Sequence, residues 1–157
     1  MNIIGKPSIN PLVFFSGKTA GYVIWVLLFL EIFRSISSEQ LIADWKQIVA
    51  VILTAAGIVI STVGLLNLGD STRAGLPLEE TKLKTHGIYR LSRNPIYLGF
   101  NFLSLAAMLL IPIHFVIILG IFNLITHHLI IVAEERFLRD RFGEEYLRYI
   151  DDVRRYI

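Results

Sequence analysis

From Ile96 to Ala133 the chain carries no aspartate, glutamate, lysine or arginine, and Pro112 is the one proline in that run. Two apolar stretches result, Ile96–Ile111 and Ile113–Ala133, and only Pro112 separates them. A bilayer core is crossed by about 20 apolar residues in a helix, and backbone groups in hydrocarbon must be satisfied within the segment. The pair therefore reads as a helical hairpin embedded in a membrane. Pro95 suits the first turn of its opening helix, where a missing N–H goes unnoticed.

Two earlier stretches extend the pattern. Gln47–Leu68 is interrupted only by Gln47, Thr54, Ser61, Thr62 and Asn67, whereas Leu12–Phe33 carries Gly17 and Lys18 near its start and Glu31 near its end. Charged side chains so placed can reach the headgroups. Gly57, Ser61 and Gly64 fall on one helical face, which lets a second helix approach closely. A hydrophobic content of 54% with mean hydropathy +0.61 excludes an ordinary soluble domain.

The remaining segments are polar. Residues 69–95 form a loop rich in Gly, Pro and charge, containing Asp70, Arg73, Glu79, Glu80, Lys82, Lys84, Arg90 and Arg93. Long loops in compact domains commonly carry function. From Glu134 to Ile157, Leu138, Phe142, Tyr146, Tyr149, Val153 and Ile157 recur at three or four residues, which predicts an amphipathic helix, bent at Gly143. The expected fold is an all-α integral membrane protein of one domain, residues 1–157. It has about four transmembrane helices (12–33, 47–68, 96–111 and 113–133), the hairpin among them, and a C-terminal amphipathic cytoplasmic helix over 134–157.

Charge orients this arrangement. With four spans, one side holds Lys6, Lys18, Arg73, Lys82, Lys84, Arg90, Arg93 and six C-terminal arginines, and the other only Arg34 and Lys46. The positive-inside rule places the basic side, with both termini, in the cytoplasm. The net charge of +2 follows this topology and shows no nucleic-acid module. Met1–Pro11 lacks the features of a signal peptide, so the N-terminus is expected to be retained. With no cysteine, thiolate metal sites and cysteine nucleophiles are excluded.

Two constellations carry chemistry, and both fall at the cytoplasmic ends of the hairpin helices. T-K-L-K-T-H-G-I-Y-R-L-S-R-N-P-I-Y-L-G, from Thr81 to Gly99, sets a flexible Gly87, two tyrosines and two arginines before a helix N-terminus. Such a place offers backbone N–H groups and guanidinium forks to an anion. Glu134-Glu135 follows the last span, where carboxylates need cations, donors or water. An antiparallel hairpin brings this pair beside Arg93–Tyr97.

The motifs L-K-T-H-G-I-Y-R-L-S-R-N-P-I-Y-L-G, E-E and F-G-E-E-Y-L-R-Y, with the apolar hairpin between them, together resemble the isoprenylcysteine carboxyl methyltransferases and the related phospholipid methyltransferases, over roughly Asn67–Val153. The resemblance implies an S-adenosylmethionine-dependent enzyme that takes a lipid or isoprenoid-like acceptor from the bilayer at the cytoplasmic face. It implies cofactor contacts at Thr81, Lys82, Leu83, Lys84, Tyr89, Asn94, Pro95, Ile96, Tyr97 and Glu134, with Arg93 and Glu134 as the catalytic pair and no metal. Thr81 stands where the prenylcysteine enzymes carry histidine, and Ile130 where they carry an arginine four residues before the first glutamate. Recognition of a prenylcysteine carboxylate is thereby not carried over.

Blander readings accompany these. Arg90 reads as a membrane anchor, and Tyr146 as an interfacial aromatic. His127 and His128 lie two turns before the glutamates and fit helix-packing hydrogen bonds better than a metal site. His86 fits a structural loop residue. Two other functions remain open from the residues: a nicotinamide-dependent membrane lipid reductase, and a small adaptor whose basic tail binds anionic lipid. The methyl acceptor and the oligomeric state are not encoded legibly.

Overall fold

The computed structural model describes residues 7–37, 44–69 and 83–157, and within them every regular element is helical. The helices are α1 (Pro11–Ser37), α2 (Trp45–Leu68), α3 (Pro95–Leu110), α4 (His114–Phe142) and α5 (Glu144–Asp152), with a 3-10 turn at Gly87–Arg90 before α3. Helices α1, α2 and α4 are long and apolar enough to cross a membrane, and α3 is a shorter apolar helix. This is the all-α membrane architecture expected. Thr81 and Lys82, with residues 70–80 of the polar loop, lie outside the described residues.

Helix α4 runs further than the hydropathy pattern indicates. It continues without a break past Ala133, through both glutamates, to Phe142, so the expected amphipathic tail is divided between the end of α4 and α5. Nothing in E-E-R-F-L-R-D-R-F stops a helix, and Arg139 and Arg141 favour its C-terminal dipole. Gly143 ends it with φ +50, a conformation glycine adopts at little cost, and its N–H donates to the Arg139 carbonyl at 2.9 Å. At 29 residues α4 is roughly 43 Å long and outreaches the hydrocarbon layer.

The hairpin closes tightly. Helix α3 starts at Pro95 because proline suits a first turn and disfavours helix at the preceding residue, and Asn94 accordingly sits at φ −132, ψ 54. It stops before Pro112, and the Ile113 N–H donates to the Ile111 carbonyl at 2.8 Å.

Packing follows small residues. Helix α2 lies along α3, α1 lies against α4 and α3, and among the described residues α1 and α2 share no comparable face. A Cβ on Gly99 would stand 2.5 Å from the Gly57 carbonyl oxygen and 2.7 Å from the Ser61 nitrogen. The two backbones therefore touch, as the Gly57, Ser61 and Gly64 stripe predicts. Gly17 and Gly21 of α1 leave room instead for the side chains of Thr126 and Asn123 of α4, which press against them. Outward faces stay apolar, with Val26, Leu30 and Phe33 on α1, Ile52, Val59 and Leu66 on α2, and Ile118 and Ile125 on α4 all exposed.

A polar chain threads the interior. Trp25 Nε1 donates to Ser104 Oγ (3.0 Å), and Ser104 Oγ donates to Asn123 Oδ1 (2.8 Å). The Asn123 amide donates to the Gly17 carbonyl (2.9 Å) and lies 3.3 Å from His127 Nε2. Since that amide nitrogen can only donate, Nε2 accepts, and Nδ1–H is assigned to Asn101 Oδ1 at 2.7 Å. Trp25, Ser104, Asn123, His127 and Asn101 thus satisfy one another across α1, α3 and α4, which fixes the register of the three helices.

Candidate functional site

The loop before α3 is held from both sides. Ile88 N–H donates to Asn67 Oδ1 at the end of α2 (3.0 Å), and Gly87, at φ +62, presses so closely on the same oxygen that no Cβ fits. Tyr89 is buried beneath the turn, its hydroxyl 3.5 Å from the Gly64 carbonyl. From the other side the Tyr149 hydroxyl of α5 donates to the Tyr89 carbonyl at 2.6 Å. Burial first, then the Glu134 charge, push the Tyr89 phenol above its ordinary range; burial is also the leading cause of the rise at Tyr149. Both remain donors at neutral pH.

Helix α5 is amphipathic, and its apolar side builds a small second core. Tyr146, Tyr149 and Val153 are buried against Leu83, Leu138, Phe142 and Ile150. This core brings the C-terminal residues 150–155 against Ser92–Asn94. Arg93 N–H donates to the Arg154 carbonyl (3.0 Å), and one guanidinium nitrogen donates to the carbonyls of Val153 (2.6 Å) and Ile150 (3.2 Å). Arg93 therefore caps the end of α5.

Its Nε turns to Glu135 Oε1 at 3.2 Å, and the Asn94 amide reaches the same oxygen at 3.1 Å. The other oxygen, Oε2, receives Arg155 through Nε (3.0 Å) and a terminal nitrogen (2.8 Å). The Glu135 hydrogen bond is the first cause holding the Arg155 guanidinium above its usual range. Both the Glu135 and Arg93 side chains are less than one-tenth exposed. A carboxylate so buried persists only when cations and donors saturate it, and here they do.

Glu134, one residue earlier on α4, points elsewhere. Among the described residues its hydrogen-bond partner is the Tyr97 hydroxyl, 3.0 Å away, from the first turn of α3. Lys18 of α1 and Tyr89 lie within electrostatic reach of it. The Tyr97 ring stacks at a tilt on His127, with centroids 5.3 Å apart. Beside it, the Ile96 and Tyr97 N–H groups belong to a helix start whose Asn94 side chain makes no cap, because it is turned to Glu135. A carboxylate with spare acceptor capacity, a helix N-terminus and aromatic rings thus share one place.

The structure brings Arg93, Asn94, Tyr97 and Glu134 together at the base of the α3/α4 hairpin, with Tyr89 alongside. Pro95 and Ile96 pack on Gly64, Leu83 joins the second core, and Lys84 follows it, half-buried. Thr81 and Lys82 lie outside the described residues. The two histidines diverge: His127 faces Asn101 and Asn123 inside the bundle, and His128 Nδ1 meets the Tyr156 hydroxyl at 2.9 Å on the other side. His86 and Arg90 are exposed.

Ser92, Arg155 and Lys18 are site residues that sequence reasoning passed over. Ser92 Oγ accepts from Asn94 N–H (3.1 Å) and lies 3.3 Å from the Arg155 carbonyl, to which it donates. Arg155 is one basic residue among six in the tail, and no spacing distinguishes it from the others.

A family model described as phospholipid methyltransferase matches residues 45–145, which is more than half of the chain. No curated protein and no solved structure matches significantly.

Proposed function

The chain belongs to the phospholipid methyltransferase family, and from that premise we propose that it transfers the methyl group of S-adenosylmethionine to a lipid-like acceptor at the cytoplasmic face of its membrane. One observation carries the reading: of two adjacent glutamates, Glu135 is saturated by Arg93, Asn94 and Arg155, while Glu134 faces Tyr97 and the start of α3 with acceptor capacity to spare. The cytoplasmic assignment rests on the charge asymmetry of the sequence.

The residues fit the cofactor. Glu134 supplies an acceptor for its hydroxyl or amino donors, the Ile96 and Tyr97 amides suit a carboxylate, and Tyr89 and Tyr97 offer rings beside them. When bound, S-adenosylmethionine supplies an electrophilic methyl on sulfonium, open to in-line attack by an acceptor lone pair. The protein's part is to position two reactants and exclude water, effects that supply much of the rate in such displacements. Tyr97 orients the Glu134 carboxylate. Arg93 is a positioning residue: through Glu135 and the α5 carbonyls it fixes Asn94 and hence the first turn of α3.

Membership of a methyltransferase family favours this reading over a nicotinamide-dependent reductase and over an adaptor. The test is transfer of labelled methyl from S-adenosylmethionine into lipid extract by the purified protein, with Glu134→Gln beside it. We expect labelled lipid from the wild type and a loss of about 100-fold or more in the variant, the scale of a removed positioning contact. Labelling absent from wild-type protein that binds NADPH but not S-adenosylmethionine rejects the proposal.

A further inference from the structure

Lys18 is a cation on a membrane-spanning helix, and among the described residues its ammonium meets neither a carboxylate within salt-bridge distance nor a hydrogen-bond acceptor. Its Nζ lies 4.3 Å from the centre of the Phe14 ring. Phe14 is one turn nearer the start of α1, so the side chain leans toward the basic end of the bundle, as side chains on a helix do. That is the end where Glu134 and Tyr97 lie, because α1 and α4 run antiparallel with Gly17 against Thr126. Lys18 is half-buried rather than splayed into the surroundings.

Aromatic rings lead from the α1 turn after Lys18 toward Glu134. Tyr22, one turn further along α1 and largely exposed, packs edge-on against Trp25 at 5.5 Å. Trp25 contacts Phe100 at 4.9 Å and faces His127, on which Tyr97 rests. These rings form a wall from the bundle interior to Glu134.

We propose that Lys18 is a specificity-determining residue that recognises an anionic group, phosphate or carboxylate, on the lipid acceptor. It holds the reacting headgroup atom toward Glu134. The proposal deepens the methyl-transfer reading and rests on it. The Lys18 ammonium feels Glu134 only from beyond salt-bridge distance, and a ligand that brings an anion into direct contact is favoured, since a buried ion pair recovers part of the desolvation of each partner. Residue 18 precedes the matched region 45–145.

The test reads binding apart from catalysis. Full-length protein is placed in nanodiscs of neutral lipid, and Trp25 fluorescence is quenched by phosphatidylethanolamine, fatty acid or diacylglycerol brominated in the acyl chains, in a Trp45→Phe background. Wild type is expected to bind the phosphate and carboxylate probes about tenfold more tightly than diacylglycerol, Lys18→Gln to lose that preference, and Lys18→Arg to keep it. Equal preference in wild type and Lys18→Gln overturns the proposal. In the methyl-transfer assay, Lys18→Gln is expected to raise KM for the acceptor by a larger factor than KM for S-adenosylmethionine, and a rise in the latter alone also overturns it. A wild type that discriminates among the probes without transferring methyl refutes the activity and leaves the anion site standing.

Discussion

At the scale of residues, the adjacent glutamates differ because of what reaches them. Glu135→Gln leaves Arg93 buried beside a neutral amide, and breaking one partner of a buried pair costs about 3–5 kcal/mol. A large fall in the thermal unfolding midpoint is the expected outcome. Glu134→Gln keeps the Tyr97 hydrogen bond and is expected to unfold within a few degrees of wild type while losing activity. A matched loss of stability in both variants would contradict the division of roles. The resemblance singled out Glu134 of the E-E pair, but the partners that saturate Glu135 were not legible, because Arg155 lies twenty residues away and the carbonyls that hold Arg93 belong to residues 150–154. Alkaline behaviour adds a second check. Tyr89 and Tyr149 titrate above their ordinary value of 10.0, so the folded state prefers the neutral phenols. Their contribution is complete below about pH 10 and is lost as pH rises toward the folded values. Tyr149→Phe is expected to reduce the fall in unfolding midpoint above that pH, and an unaltered fall would show that this phenol is not linked to folding.

At the scale of elements, the α2/α3 contact is decided by missing side chains. Gly99→Ala forces a methyl group onto the Gly57 carbonyl and the Ser61 backbone, and overpacking of this kind costs about 1–3 kcal/mol. Gly143→Ala meets no neighbouring atom and incurs mainly the strain of a positive φ, about 1–2 kcal/mol. Activity in membranes is the sharper discriminator, because Gly99 lies one turn beyond Pro95 and its displacement moves the start of α3, whereas Gly143 is remote from Glu134. Gly99→Ala is expected to lower methyl transfer more than Gly143→Ala, and the reverse order would detach α2 packing from the site. The stripe at Gly57, Ser61 and Gly64 and the Pro95 helix start were visible in the sequence because each rests on local geometry. The end of α4 was not, since hydropathy falls at Glu134 while the helix continues to Phe142. Of the Ser104, Asn123, His127 and Asn101 chain, the helix-packing hydrogen bond of His127 was expected, but its partners were hidden, since they lie on two helices whose rotation no periodicity specifies.

At the scale of the molecule, short α3 and long α4 set the site at the base of the hairpin, while α5 folds back and closes it with the chain's last residues. The chain contains no cysteine, so single cysteines report topology without background. Cysteines placed at Lys84 and Arg148 are expected to react with an impermeant thiol reagent in inverted vesicles and not in intact cells, and the opposite pattern would turn the proposed site to the other face. S-adenosylmethionine is proposed to occupy the place where Glu134 and Tyr97 meet the first turn of α3. Equilibrium binding of labelled S-adenosylmethionine to the purified protein and to Glu134→Gln, with unfolding midpoints measured on the same samples, tests it most directly. Wild type is expected to bind saturably, and affinity to fall by about tenfold or more in a variant that remains folded. Equal affinity in the two folded proteins would contradict it.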